Sequence, residues 1–306
     1  MATKLFLHIG WRKAGSSALQ QRLARQTEAL AGCGVGLVGN KAGKFERAGT
    51  WDGPATDIDR FPWQRLRKAC DNARPGDTVI ASTEGLWPVE PSEVAAQLDG
   101  IETHIVIYLR RQDLVLESAY KQQVKGRPML LSFQEWQGRV SAKLLCYYET
   151  ITAWQAAFGR ERIVVRRLDP ICGVSDICDD FMDIVGCDIA IPPLERRANP
   201  SPRSEICRLF NIYDRRKIAL DRRFLQIKFR DLDYYSRNAD LLSDSERSQV
   251  LAGFAEENDR ILEEYFPGEE ALFSAPTPGN REDLASTSPE YERLLDLFAL
   301  AVAKAR

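Results

Sequence analysis

The stretch Leu5-Phe6-Leu7-His8-Ile9-Gly10-Trp11-Arg12-Lys13-Ala14-Gly15-Ser16-Ser17-Ala18-Leu19 decides the fold. Its first five residues are a compact apolar run, a strand signal. Gly10 and Gly15 then frame a short turn, and Leu19, Leu23, Ala24 and Leu30 recur at helical spacing over 17–30. A glycine-framed turn between a strand and a helix suits phosphate. Backbone N–H groups gather at a helix N-terminus, whose partial positive charge favours an anion. In this segment Arg12 and Lys13 add charge, Ala14 and Gly15 close the turn, and Ser16 and Ser17 add hydroxyl donors. A ligand-free reading also fits. Ser17-Ala18-Leu19-Gln20 spells a capping box, with Gly10 and Gly15 as plain turn residues.

Outward from this stretch, further apolar runs lie at 78–81, 105–109 and 163–165. The first follows the turn Arg74-Pro75-Gly76-Asp77, and the second leads into a helical pattern reaching about Lys125. The third follows a helix near 144–158 closed by Gly159. None alternates with polar residues, which suits strands buried on both faces. Strands alternating with helices predict an α/β fold: a P-loop-like parallel sheet with helices on both faces. After about Asp169 the pattern turns helical, over 203–220, 244–264 and 289–305, with Pro/Gly-rich breaks at 192–202 and 275–280. The expected organisation is one domain over 1–306, an α/β core at 1–169 and a mainly helical portion at 170–306.

Composition narrows the function classes. The 306 residues are 44% apolar and 28% charged, with a net charge of −2. A near-neutral chain is not a globally basic nucleic-acid binder. Charge is nevertheless segregated: 196–230 sums to +8 and 231–270 to −9. Either the two stretches neutralise each other, or the basic one attracts an anionic partner. No run approaches the ~20 apolar residues of a membrane helix. The N-terminal apolar run is too short for a signal-peptide core, so a cytoplasmic location is expected. Seven cysteines without a C-x-x-C read as mostly buried thiols in a reducing compartment. With only His8 and His104, no zinc site is expected.

The turn differs from the G-x-x-x-x-G-K-[ST] loop of nucleotide hydrolases in one respect. Ser16 stands where that loop has lysine, and the lysine comes three residues earlier, at Lys13. The 105–109 strand ends in Arg110-Arg111 and not in an Asp suited to Mg²⁺, which argues against a kinase or NTPase. Arg110 closes a buried strand, at the edge where open parallel sheets bind ligands. Ser118 lies eight residues on, in the following helix. An arginine fork and a hydroxyl suit a second phosphate.

Together, Lys13-Ala14-Gly15-Ser16-Ser17 and the pair Arg110 and Ser118 resemble the sulfotransferases that use 3′-phosphoadenosine 5′-phosphosulfate (PAPS). The texture is similar to their bacterial carbohydrate-sulfotransferase branch. It shows in Leu109-Arg110-Arg111-Gln112-Asp113, in Ser118-Ala119-Tyr120-Lys121-Gln122, and in Tyr265-Phe266 followed by Leu272-Phe273. The resemblance is dense over about 4–125. It departs from the family at Arg12, where animal members often carry Pro.

This resemblance implies PAPS as cosubstrate and PAP, 3′,5′-adenosine bisphosphate, as product, with no metal. It implies that the loop with Ser16 and Ser17 holds the 5′-phosphate, that Arg110 and Ser118 hold the 3′-phosphate, and that Lys13 neutralises the leaving group. The acceptor is expected to be a carbohydrate or glycolipid hydroxyl, on a neutral or an anionic molecule, on the side of the helical portion.

For the base, Glu84 follows the 78–81 strand at the ligand-binding edge, beside Gly85. His8, two residues before the loop, is a second candidate, better suited to a core role. His104 precedes its strand and reads as structural. Trp11, Trp51, Trp63 and Trp87 fit core packing better than ring stacking on a ligand. Two rival readings stand beside the transferase: a P-loop kinase or NTPase, and a nucleotide-binding module without catalysis.

Overall fold

The computed structural model describes residues 3–38, 61–83, 86–140, 144–195, 201–232, 234–236, 241–276 and 288–305. In chain order these form β1 (Lys4–His8), α1 (Ser16–Arg25), α2 (Thr27–Gly32), β2 (Val35–Val38), α3 (Trp63–Asn72), β3 (Thr78–Ser82), α4 (Pro91–Gln97), β4 (Glu102–Leu109) and α5 (Gln112–Gly126). There follow α6 (Phe133–Gln137), α7 (Tyr148–Phe158), β5 (Ile163–Arg167), α8 (Ile177–Val185), β6 (Ser201–Pro202) and α9 (Ser204–Arg215). The last are α10 (Arg222–Asp231), β7 (Tyr235–Ser236), α11 (Asp244–Ala252), α12 (Ala255–Tyr265) and α13 (Pro289–Lys304). Two compact units share the chain. Met1–Arg111, Cys146–Asn199 and Phe254–Ser274 make the first; Gln112–Leu145, Pro200–Gly253 and Ala275–Arg306 make the second.

The first unit is built on a five-stranded, all-parallel sheet in the order β2-β3-β1-β4-β5, flanked by helices. Leu5, Leu7, Ile9 and every residue of 105–109 are fully buried, as continuous apolar runs require. Each such aliphatic side chain contributes about 1.5–3 kcal/mol. β1 is central, with His8 beside Ser82 on one side and Val106 on the other. From β1 the chain crosses to the edge strand β2, comes back to fill β3 between them, and then passes beyond β1 to β4 and β5, so the connections leaving the neighbours β1 and β4 run in opposite directions. The loop after β1 therefore lies at the carboxyl edge, at a switch point of the winding.

All four predicted strands form. β2 does not appear in the sequence reading. Its four residues are interrupted by Gly36, and the strand is completed by pairing with β3. The helix predicted over 17–30 breaks at Gln26, whose N–H turns to the Leu23 carbonyl, giving α1 and α2. Gly159 closes α7 at φ 90°, in the role predicted for it.

The second unit packs α5, α9, α10 and α13 around Phe210, Phe229 and Phe298, with ring centroids 5.1–6.3 Å apart. Beside that cluster Arg247 is buried against Asp113 (2.5 Å) and Glu117 (2.8 Å), and Glu117 also accepts from the Leu241 and Leu242 N–H groups. The helix predicted over 203–220 ends at Arg215, and Asp221 opens a separate α10 by capping the Phe224 N–H. The helix predicted over 244–264 divides at Gly253: α11 belongs to the second unit, α12 to the first. Within the basic stretch, Arg203, Arg215 and Arg222 pair with Glu290, Glu135 and Asp214, all outside the acidic stretch.

Candidate active site

The loop between β1 and α1 turns through three left-handed residues: Gly10 at φ 60°, Lys13 at φ 67° and Gly15 at φ 88°. Gly15 is required twice over. An added Cβ would sit in the left-handed region and 3.0 Å from the Ile177 side chain. Lys13 has no such licence. A lysine at positive φ costs about 1–3 kcal/mol and marks a place where surrounding structure imposes the conformation. Gly15 is the N-cap of α1, and no side chain caps the helix. The capping box read over 17–20 does not form. The helix starts one residue earlier, at Ser16, and Gln20 turns away to donate to Ser82 Oγ (3.1 Å).

Ser16 is fully buried, and its hydroxyl has no hydrogen-bond partner among the described residues. A buried hydroxyl left without a partner costs roughly 1–3 kcal/mol, and at a helix N-terminus it is placed to donate to an anion. Ser17 and Lys13 are half-buried, Ala14 is buried and Arg12 is exposed.

The loop meets the end of β4. The Arg110 guanidinium donates from Nη1 to the Lys13 carbonyl (2.9 Å), bringing together two candidates 97 residues apart. Tyr147 in turn donates its hydroxyl to the Arg110 carbonyl. Its ring stands edge-on to Trp11, which also packs on Trp87 (centroids 4.6 Å). Trp11, Trp63 and Trp87 are all buried, in line with core packing; Trp51 lies outside the described residues. Ser118 is half-buried on α5, in the second unit.

His8 has no exposed surface. Its Nδ1 lies 2.7 Å from Ser82 Oγ. Ser82 Oγ also accepts from Gln20, and His8 Nε2 has no hydrogen-bond partner among the described residues. Burial lowers the His8 pKa to about 3, so the ring is neutral at pH 7. Glu84 lies outside the described residues. His104 sits in the amino half of β4, stacked on Phe6 and 3.3 Å from Glu102, away from the carboxyl edge.

No family model matches the chain. An uncharacterized protein of Archaeoglobus fulgidus is 31% identical over 170 residues, 53% of this chain and 45% of that protein. The chain thus spans less than half the length of that relative. The crystal structure of a sulfotransferase from Alicyclobacillus acidocaldarius aligns with 73% of this chain and 95% of its own, at 16% identity and a TM-score of 0.39. A likeness that low carries no argument about function.

Several supporting residues are invisible in the sequence. Gln20 and Ser82 hold His8, and Tyr147 holds Arg110. Behind the end of β5, Asp169 accepts from both the N–H and the hydroxyl of Ser274 (2.8 Å each), and Arg111 donates to the Ser274 carbonyl. Arg167 donates to the Ala271 carbonyl. Burial alone would raise the Asp169 carboxyl, but hydrogen bonds from Ile171, Ser274 and Cys172 hold it below the usual range. Segment 269–274 is thereby strapped to the carboxyl edge of the sheet. In the sequence only Tyr265-Phe266 before it and Leu272-Phe273 within it marked this segment.

Proposed function

We propose that the chain transfers a sulfuryl group from PAPS to a hydroxyl of a carbohydrate or glycolipid acceptor and releases PAP. The observation that carries this reading is the buried Ser16 hydroxyl, without a partner among the described residues, at the start of α1 and behind a lysine held in the left-handed region. An orphan donor, uncapped helix N–H groups and a nearby cation suit the 5′-phosphate. The lysine sits before the helix start and not within it. There it suits the oxygen bridging phosphorus and sulfur.

In the transfer, the acceptor oxygen bonds to sulfur as the bond from sulfur to the bridging oxygen breaks. That bond's electron pair remains on the 5′-phosphate, where Lys13 neutralises it. Glu84 takes the acceptor proton. His8, neutral and enclosed, suits bracing of the β1 end better than proton transfer. Arg110 takes the 3′-phosphate, the role the resemblance also gives Ser118. This chemistry requires no divalent metal.

The test is thermal stability with PAP against ATP plus Mg²⁺. A ligand at about 100 times its Kd adds ~2.7 kcal/mol. Stabilisation by PAP, with ATP–Mg²⁺ weaker, is the expected result. Stabilisation by ATP–Mg²⁺ alone would return the chain to the kinase or NTPase class.

A further inference from the structure

The second unit differs in surface character from the first. It carries 20 Lys/Arg against 16 Asp/Glu, a net +4, while the first carries 22 against 28, a net −6. Among the described residues, six of the seven large apolar side chains left exposed also belong to the second unit; Ile171 is the exception. Basic charge and exposed aliphatic side chains therefore coincide.

They coincide most closely on α10. Leu225 and Phe229 are buried against the aromatic cluster. On the opposite side Arg223, Ile227 and Arg230 recur at i, i+4 and i+7, with Lys228 next to Ile227; all four are exposed, as is Asp231 one turn after Ile227, which leaves this side with three cations against one carboxylate. Ile227 is 48% exposed, and Leu232 just beyond the helix is 37% exposed. None of Arg223, Lys228 and Arg230 forms an ion pair with a described residue, in contrast to Arg203, Arg215 and Arg222. Lys304 of α13 extends the positive surface, its ammonium 5.3 Å from the Phe224 ring. At the other end of α10, Arg230 lies near Lys125, whose ammonium is held below its usual range by burial and by that guanidinium. Like charges gathered on one surface are relieved by an external anion.

We propose that this face of α10, formed by Arg223, Ile227, Lys228 and Arg230, docks the second unit on an anionic lipid bilayer. The physical reason for choosing a bilayer is the isoleucine. A phosphodiester backbone rewards cations but gains nothing from an aliphatic side chain among them. A bilayer interface rewards both, taking the aliphatic side chain at the acyl boundary and the cations at the headgroups. The surface stands independently of the sulfuryl-transfer reading; only the corollary that the acceptor hydroxyl is lipid-borne rests on that reading.

Flotation of the full chain with phosphatidylcholine vesicles, with and without phosphatidylglycerol, tests this. Binding is expected only with phosphatidylglycerol and is expected to fall as salt shortens the Debye length. Combining Arg223→Ser, Lys228→Ser and Arg230→Ser should weaken partitioning on the order of a hundredfold, the scale set by three cations near an anionic surface. Ile227→Ser should weaken it several-fold at unchanged charge. Ile227→Trp should bind and shift its fluorescence to the blue on vesicle addition.

Absence of binding at low salt, or binding that ignores the three-residue variant, overturns the proposal. Capture by duplex DNA that responds to the charge variant but not to Ile227→Ser would assign the face to a nucleic acid and also overturn it. PAP-induced stabilisation, measured on the same preparations, separates the two readings. A chain that binds vesicles but ignores PAP loses the transferase and keeps the docking face, and the reverse result does the opposite.

Discussion

Ser16 answers to two opposing demands. Among the described residues its hydroxyl is buried without a partner, an arrangement that costs stability; with a phosphate oxygen beside it, the same hydroxyl would be a donor. Ser16→Ala should therefore raise the stability of the free protein by about 1–3 kcal/mol in urea unfolding, while weakening PAP roughly tenfold in titration calorimetry. Unchanged stability would mean that the hydroxyl is already satisfied. Lys13 sits at the other side of the loop with a different task. Lys13→Ala should lower kcat and kcat/KM together by about 10²–10³-fold with PAP affinity nearly intact, the mark of a contact made in the transition state. A raised donor KM with kcat preserved would make Lys13 a ground-state anchor. His8 gives a pH prediction. Its folded pKa of about 3 lies below the unfolded value of about 6.5. Above pH 6.5 neither state binds the proton and His8 adds no pH dependence. Below it the unfolded state binds the proton first, so stability falls as pH drops from about 6.5 towards 3, by up to ~1.4 kcal/mol per unit. Between pH 6.5 and 5 this slope should be present in the wild type and reduced in His8→Gln.

At the scale of elements, α1 is fixed at both ends by different physics. Its start is set by Gly15, and its body is clamped by Arg22. That guanidinium bonds both Asp176 oxygens (2.6 Å), the Pro192 carbonyl (3.0 Å) and the Ile191 carbonyl. Asp176 is also the N-cap of α8, accepting from the Cys178 and Asp179 N–H groups. Arg22→Ala should cost about 2–4 kcal/mol, because it leaves carbonyls and a capping carboxylate short of a donor. Arg22→Lys should recover little of it, since an ammonium cannot span three acceptors in a fork. A loss below ~0.5 kcal/mol in urea unfolding would show the clamp to be dispensable. The strands at the centre of the sheet were legible because their burial on both faces writes itself into the chain as unbroken apolar runs. β2 was not, since an edge strand with Gly36 in its middle carries little signal of its own. Helix boundaries were lost where the chain turns without proline, at Gln26 and after Arg215.

At the scale of the molecule, the chain crosses between its two compact units repeatedly, and the first unit needs residues 254–274 to be complete. Glu257 accepts from the Tyr148 N–H (2.7 Å), Tyr265 bonds Gln155, and Ser274 closes on Asp169. A fragment of residues 1–253 should therefore lose cooperative unfolding of the first unit, seen as a broadened urea transition by circular dichroism. A sharp, wild-type-like transition would show the strap to be superfluous. The sequence by itself determined what is local. The apolar runs at 5–9 and 105–109 imposed buried strands, and their alternation with helices imposed a parallel sheet. The glycine-framed turn with Lys13 placed a candidate anion site at the end of the first strand. Only the tertiary structure decided which residues serve that turn. Gln20 reads as a cap in sequence and instead reaches Ser82, and Arg110 reaches across 97 residues to the Lys13 carbonyl. The reason is physical. Periodicity and turn chemistry act over a few residues and are written in the chain. The partner of a buried polar group is chosen by which strands become neighbours, and that follows only from the winding of the whole sheet.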